Sequence, residues 1–257
     1  MVFVPLQKTT DMKRILSAIL AVLLSATLCG ARKLPSGALG TFTYDIRYTW
    51  GAINAKVATA TISLEPARWD ERDSYHSHAF VKTSAIFRLF IGADLTVDSY
   101  IAQSDLLPLY TINPFRKGGK DCKFEYTYDR DDRKVTNLAQ WPKETLTKQY
   151  PFDGKIFDLL TLLAYCRFVD AADKPISLQL MLGDTAHPAT LTYQGKDTET
   201  FPGVEAERFL LRLTERGVME NGSGNEVTFW RSSGSDRRVL GLEAAIDPGH
   251  MSIRIKN

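Results

Sequence analysis

The chain has no apolar run long enough to cross a membrane as a helix. Its longest such run extends from Ile15 to Leu28, only 14 residues, whereas a spanning helix needs about 20. A basic pair precedes the run at positions 13–14, and small residues follow it at 29–31. This layout is typical of a secretory signal peptide that is removed on export.

We therefore predict a leader over residues 1–31, with the signal peptide itself over 12–31 because Met12 offers an internal start. Residues 32–257 then form a single β-rich domain. Cys29 could instead become the acylated residue of a lipoprotein, but that signal calls for a small residue before the cysteine, and Leu28 stands there. We favour cleavage after Ala31 and export to the periplasm or the outer envelope.

An excess of charge of one sign is also missing. The whole chain has 32 Lys and Arg against 30 Asp and Glu, and the small basic excess belongs to the leader. A near-neutral mature chain without a basic cluster argues against nucleic acid as a partner and against electrostatic binding to a membrane surface.

Residues that carry metal or redox chemistry are scarce, with 3 Cys and 4 His in the chain. His76 and His78 share one face of a predicted strand and are weak candidates for metal ligands, because no third or fourth ligand accompanies them. Cys122 and Cys166 could form a disulfide in an oxidising compartment. The alternative is two buried thiols, which the helical sequence around Cys166 favours slightly.

Motifs for cofactors and catalysis are absent as well. The sequence contains neither a P-loop nor a dinucleotide fingerprint, and no G-x-S-x-G elbow. We therefore predict no cofactor and expect a protein that is not an enzyme.

What the sequence does have is alternation of apolar and polar residues. Residues 41–50 place aromatic and aliphatic side chains at even positions and polar ones at odd positions, and residues 58–64 repeat the pattern. This period of two is typical of antiparallel strands with one buried face. Turn signals separate several such segments. We predict a mainly β fold, a curved antiparallel sheet or an open barrel or sandwich.

One segment, residues 154–168, has the pattern of a buried helix. Asp153 is a plausible N-cap, and Lys155–Phe168 is apolar on most sides. Asp158, Thr161 and Tyr165 fall on one narrow polar stripe of this helix. We predict that these three residues contact a ligand or polar partners in the sheet.

The order of these segments resembles a known family. The resemblance lies in the start Gly40–Ile46, the helix Phe157–Arg167, Phe201–Ala206, Phe229–Ser232 and the closing Arg238–Ala245. Together they resemble DUF3108, a family of exported bacterial proteins of unknown function. The resemblance implies an envelope location and a mostly β fold, and it implies no catalytic residues. The architecture also looks like that of periplasmic lipoprotein carriers, an analogy of fold alone.

Three functions compete at this point. The first is an envelope protein whose curved sheet binds an apolar ligand, such as a lipid or acyl chain, or a partner protein. The second is a structural scaffold with a fully packed sheet, and the third is a hydrolase of envelope polymers that uses Asp158 or Glu205. An empty apolar volume of some hundreds of cubic ångströms would favour the first. The oligomeric state stays open.

Overall fold

The computed structural model describes residues 34, 36–85, 94–117, 119–170, 174–214, 225–246 and 248–256. The predicted leader lies outside these ranges. Within them the chain forms a short 3-10 turn, one α-helix and 15 strands. The elements are the turn Ser36–Ala38, β1 Gly40–Trp50, β2 Ile53–Trp69, β3 Arg72–Thr83, β4 Leu95–Ala102, β5 Pro108–Lys117, β6 Lys120–Asp129, β7 Lys134–Gln140, β8 Thr145–Pro151, β9 Lys155–Asp158, α1 Leu159–Phe168, β10 Ile176–Leu182, β11 Thr185–Asp197, β12 Ala206–Leu213, β13 Glu226–Ser232, β14 Val239–Ala245 and β15 His250–Ile255.

All the strands belong to one sheet, in the order β8-β7-β6-β5-β4-β3-β2-β1-β15-β14-β13-β12-β11-β10-β9. Neighbouring strands run antiparallel except β9 and β10, which run parallel. The first and last strands pair at the centre of the sheet, from Tyr44 opposite Ile255 to Thr49 opposite His250. The predicted mainly β fold with a curved antiparallel sheet and one buried helix is therefore confirmed.

Side chains bring the two ends of this sheet together. Tyr126 and Tyr128 of β6 pack in one buried cluster with Ile156 of β9 and Met181 of β10. The Tyr126 hydroxyl also donates a hydrogen bond of 2.7 Å to the carbonyl oxygen of Gly183. In the described part of the chain no ladder joins β8 to β9. The sheet is therefore rolled, and its seam is closed by side chains rather than by strand pairing.

The helix α1 packs inside this rolled sheet. Leu162 and Cys166 lie in an apolar cluster with side chains from β10 to β13, whereas Ala164 and Phe168 pack against side chains from β2 to β4. The helix is thus buried on opposite sides, as its nearly all-apolar sequence predicts. No helix among the described residues is both long enough and apolar enough to cross a membrane.

The start of α1 differs from the prediction. Asp153 is not its N-cap, and Lys155–Asp158 is the strand β9, which pairs in parallel with β10. The helix begins at Leu159 with Asp158 as its N-cap. The reason for the error is that a short buried apolar run fits a strand and a helix equally well. Here the pairing partner in β10 makes the segment a strand.

The C-terminal end of α1 is held by Arg231 of β13, whose side chain is completely buried. Its Nη1 lies 2.8, 3.0 and 2.6 Å from the carbonyl oxygens of Cys166, Arg167 and Val169. Its Nε donates a hydrogen bond of 2.6 Å to the Glu207 carboxylate. Carbonyl groups at a helix end have no partner within the helix, so Arg231 supplies the donors that they need.

The two cysteines of the predicted mature chain are free and buried thiols. The disulfide that the sequence left open is therefore not formed. Cys122 lies on β6, and Cys166 lies on α1 inside an apolar cluster. Burial raises the pKa of the Cys166 thiol well above its usual range, so this side chain acts as a small apolar group.

Candidate functional site

A cavity of about 320 Å³ lies between α1 and the inner face of the sheet. The strands contribute mainly aliphatic and aromatic side chains to its wall. These include Phe42, Tyr44, Ile46, Ala60, Ile62, Ala79, Val81, Val97, Leu242 and Ile253. The even-numbered residues of β1 that the sequence assigned to a buried face therefore do more than fill a core, because three of them border this space.

The helix contributes one face to the cavity. Leu159, Leu163 and Arg167 line it at intervals of four residues, and Leu160 and Ala164 lie beside them. Residues four apart lie one above the other on a helix. With a rise of about 1.5 Å per residue, this face borders the cavity over about 12 Å. Arg167 lies at the C-terminal end of that face.

The entrance is marked by two leucines. Leu159 is 49% exposed and Leu95 is 36% exposed, although both line the cavity. A side chain that borders an internal space and also reaches solvent must lie where that space meets the surface. The cavity therefore opens near the N-terminal end of α1, where both apolar side chains and the capping residue Asp158 border it.

Asp158 closes the same end of the helix as its N-cap. Its Oδ1 accepts hydrogen bonds from the backbone N–H groups of Leu160 and Thr161, at 2.9 and 3.0 Å. In return the Thr161 hydroxyl accepts a hydrogen bond from the Asp158 backbone N–H, at 3.1 Å. This reciprocal pair is a capping box, which satisfies donors at the helix start.

Three further hydroxyl groups surround the buried Asp158 carboxylate. Oδ2 lies 2.7 Å from the Thr111 hydroxyl and 3.4 Å from the Tyr128 hydroxyl, and Oδ1 lies 3.3 Å from the Ser99 hydroxyl. Burial and the nearby carboxylate raise the pKa of Tyr128 well above its usual range, so its hydroxyl stays protonated and donates. Asp158 borders the cavity, but its oxygens are already surrounded by donors.

Arg167 borders the cavity near the other end of the helix. Its side chain is buried, with 6% of the residue exposed. Nε and Nη2 donate hydrogen bonds to the carbonyl oxygens of Arg237 and Asp236, at 3.1 and 3.2 Å. The guanidinium also lies 5.2 Å from the ring centre of Phe42, another residue of the cavity wall. Among the described residues, Nη1 has no hydrogen-bond acceptor.

The charge of Arg167 has no close counter-ion. No carboxylate among the residues that the structure describes lies within 4.0 Å of its guanidinium nitrogens. The carboxylate of Asp236 is engaged elsewhere, with the Arg238 guanidinium and the Ser232 hydroxyl. Burial lowers the pKa of Arg167, because the charged form loses hydration, and the attraction of the Asp236 carboxylate only partly offsets this loss.

Tyr44 is a second polar group in the cavity wall. Burial raises the pKa of its hydroxyl to about 12. It therefore stays protonated at neutral pH, and it donates a hydrogen bond of 3.2 Å to the Val239 carbonyl oxygen.

Comparison with known proteins agrees with this architecture. A family model described as a protein of unknown function, DUF3108, matches residues 43–254. The chain belongs to the DUF3108 family. The resemblance seen in the sequence is thus confirmed, and the match covers nearly the whole ordered sheet.

The chain is also similar to a solved structure, that of a β-barrel-like protein of the domain of unknown function DUF1849 from Brucella abortus. The TM-score is 0.55 at 8% sequence identity, and the alignment covers 84% of this chain and 95% of that chain. At such low identity the likeness shows the fold alone. No curated protein sequence matches the chain.

The three residues that the sequence placed on one stripe have different positions in this DUF3108 protein. Asp158 caps the helix at the cavity, and Thr161 is completely buried against Asp158. Tyr165 is half-buried, with its ring 4.8 Å from that of Phe157. Neither Thr161 nor Tyr165 lines the cavity. The helix face toward the cavity is instead the opposite one, which ends at Arg167.

Sequence reasoning missed Arg167 as a site residue. One signal was available, since Arg167 is the only charged side chain in Leu159–Phe168. A charge at the end of a nearly all-apolar helix must either reach solvent or find a partner. Its actual surroundings come from β1 and from the loop before β14, which no local pattern connects to the helix.

His76 and His78 lie on β3 and contact the same oxygen of a β4 carboxylate. His76 Nε2 and His78 Nδ1 are each 2.8 Å from Asp98 Oδ1. His76 also stacks on Tyr100, at 4.8 Å between ring centres. Within the described ranges, no group of three or more His, Cys, Asp or Glu residues is arranged to hold a metal ion.

Glu205, the other candidate for hydrolysis, is at the surface. Its carboxylate forms a salt bridge of 3.0 Å with Lys196, and this ammonium group lowers the pKa of Glu205. A surface carboxylate held in its ionised form is poorly suited to act as a general acid. The burial of Asp158, the first candidate for hydrolysis, is explained by its role as the N-cap of α1.

Proposed function

We propose that this DUF3108 protein is a non-enzymatic envelope protein that binds one alkyl or acyl chain in the cavity along α1. The observation that carries the proposal is the cavity itself, a volume with mainly apolar walls that is bordered by the exposed side chains of Leu95 and Leu159. A chain inserted there would exchange contact with water for contact with aliphatic and aromatic side chains, which is favourable in proportion to the area buried.

The size of the cavity supports a small ligand. Its volume of about 320 Å³ is near the lower end of the range of about 300–1,000 Å³ that is usual for ligand pockets. The helix face that borders it extends over about 12 Å. A single unbranched chain fits this volume better than a two-chain phospholipid does.

The alternative of a purely structural scaffold accounts less well for this volume. A fully packed sheet would leave no such space, whereas here apolar side chains face a volume that is open to solvent. A ligand that fills the space removes this apolar surface from water, which is favourable.

The location belongs to the same proposal. The signal-like segment at residues 12–31 supports export, and a carrier of apolar chains has a role between two membranes. A partner protein that delivers or accepts the chain stays a prediction, and no residue is assigned to that contact.

Equilibrium dialysis with radiolabelled dodecanol tests the proposal. We expect saturable binding of about one molecule per chain. Replacing Ala60 by Phe places a ring in the cavity, so we expect the affinity for dodecanol to fall about tenfold or more.

The matched control is Ala67→Phe on the same strand, since Ala67 is half-buried and does not line the cavity. This variant should bind dodecanol as the unmodified protein does. The absence of saturable binding, or equal losses in the two variants, would show that the cavity is not a binding site.

A further inference from the structure

We propose that the chain bound in this cavity ends in an anionic oxygen headgroup, a carboxylate or a phosphate, and that Arg167 binds this headgroup. This inference rests on the proposed function, because it concerns the ligand of the same cavity. The proposed ligand is a single-chain amphiphile. Its head lies at the C-terminal end of α1 and its tail extends toward Leu159.

The first argument is the unpaired charge of Arg167. A guanidinium has five N–H donors, and this one uses Nε and Nη2 on two backbone carbonyl groups. In the described part of the chain, neither an acceptor for Nη1 nor a carboxylate within salt-bridge distance is present. A buried charge is costly unless it is paired, and an anionic ligand would supply the missing partner.

The second argument is the position of this charge. Arg167 borders the cavity, and its guanidinium lies over Phe42 in the same wall. The aromatic ring attracts the guanidinium to this wall, and Nη1 is left to meet an oxyanion. Planar donors of this kind match carboxylate and phosphate groups.

Two kinds of group near Arg167 would repel an anion, namely the carbonyl groups at the end of α1 and the Asp236 carboxylate. Helix C-termini are electronegative, but the last carbonyl groups of α1 already accept hydrogen bonds from Arg231. The carboxylate of Asp236 is paired with Arg238. The repulsive groups nearby thus have protein partners. The Asp236 carboxylate also attracts Arg167, but from beyond salt-bridge distance.

The opposite end of the helix is unsuited to the headgroup. Asp158 also borders the cavity, but its carboxylate is an acceptor that protein donors surround. An anion placed beside it would meet a like charge. The side chains of Leu159 and Leu95 at the mouth are apolar and exposed, so they fit the tail end of the chain. The proposed orientation therefore has the head at Arg167 and the tail toward the mouth.

Equilibrium dialysis with three labelled probes of equal chain length tests the inference: dodecanoate, dodecyl phosphate and dodecanol. We expect at least one anionic probe to bind about tenfold or more tightly than dodecanol. The tighter of the two anions identifies the headgroup. Arg167→Met, which keeps the aliphatic stem, should remove this preference, so that the variant binds the anionic probes no more tightly than it binds dodecanol.

Two further variants serve as controls. Arg167→Lys keeps the positive charge but lacks the planar guanidinium that binds an oxyanion through two N–H groups. This variant should therefore retain part of the preference for the anion. Arg254→Met removes a guanidinium that also lies over aromatic rings, those of Phe201 and Trp230, but outside the cavity wall. This variant should keep the full preference.

The outcomes separate the two proposals. If no probe binds, the proposed function is wrong. If dodecanol binds as tightly as both anions, the cavity holds apolar chains but the headgroup inference is wrong. Equal losses for dodecanol and dodecanoate in Arg167→Met would also overturn it. The comparison of probes on the unmodified protein decides the question even where a variant fails to fold.

Discussion

Two buried arginines lie at the C-terminal end of α1, and they differ in what pairs with their charge. Arg231 is completely buried and has the Glu207 carboxylate and three helix carbonyl groups as partners. Arg167 is almost as deeply buried, but it has two carbonyl groups from the loop before β14 and no close carboxylate among the described residues. One of them borders the cavity and the other does not.

This difference in partners indicates different roles: Arg231 stabilises the fold, whereas Arg167 is available to bind a ligand. A buried arginine with a complete set of partners contributes to the fold, because removing it leaves those partners unpaired. A buried arginine that lacks some of these partners and borders a cavity can still donate hydrogen bonds to a ligand. Asp158 at the other end of α1 resembles Arg231 in this respect, since its carboxylate is surrounded by donors.

The largest expected effect is on stability and comes from Arg231→Met. We expect the free energy of unfolding to fall by about 3–5 kcal/mol, because the Glu207 charge and the helix carbonyl groups lose their partner. Urea denaturation measures this change. The double variant Arg231→Met/Glu207→Gln should recover part of the loss, since it also removes the uncompensated carboxylate. A loss below about 1 kcal/mol would mean that Arg231 is not a structural charge.

The next largest effect is expected for Asp158→Ala. It removes the N-cap of α1 and leaves buried donors unpaired, so the free energy of unfolding should fall by about 3 kcal/mol. Asp158→Asn keeps an oxygen for the cap and should lose only about 1 kcal/mol. The same urea titration checks both. Equal losses in the two variants would show that the cap is not what Asp158 contributes.

A smaller effect on stability is expected for Arg167→Met. In the ligand-free protein we expect a change of about 1 kcal/mol or less, because two hydrogen bonds are lost while an uncompensated buried charge is removed. Thermal unfolding with and without dodecanoate measures it. The stabilisation that dodecanoate gives the unmodified protein should fall in this variant to about that given by dodecanol. Destabilisation as large as that of Arg231→Met would show that Arg167, like Arg231, mainly stabilises the fold.

The smallest expected effect is that of salt on dodecanoate binding. A buried ion pair is screened much less than an exposed one. Raising the NaCl concentration from about 0.05 to about 0.5 M should therefore change the dodecanoate affinity by about twofold or less. Equilibrium dialysis at the two salt concentrations checks this. A loss of tenfold would indicate that the anion binds at the surface and not beside Arg167.

Local patterns in the sequence predicted the strands well. Alternation over residues 41–50 marks β1, which the structure places at Gly40–Trp50, because its buried face is fixed by a period of two. The start of α1 could not be predicted in this way. Ile156 and Phe157 become a strand through pairing with β10, more than 20 residues later in the chain.

The candidate site was predicted less completely, for a related reason. Asp158 was identified from its polar position in an apolar segment, which is a local feature. Arg167 gains its significance from Phe42 and from the carbonyl groups of Asp236 and Arg237. Those contacts join segments that are distant in the sequence, and a cavity has no signature in a linear pattern.

The most direct test of the account is a crystal structure with dodecanoate that carries a bromine atom at its tail end, located by anomalous scattering. We expect the carboxylate within hydrogen-bond distance of the Arg167 guanidinium and the bromine near Leu159 and Leu95. A bromine beside Arg167, or a ligand outside the cavity, would contradict the assignment of Arg167 as the residue that binds the headgroup.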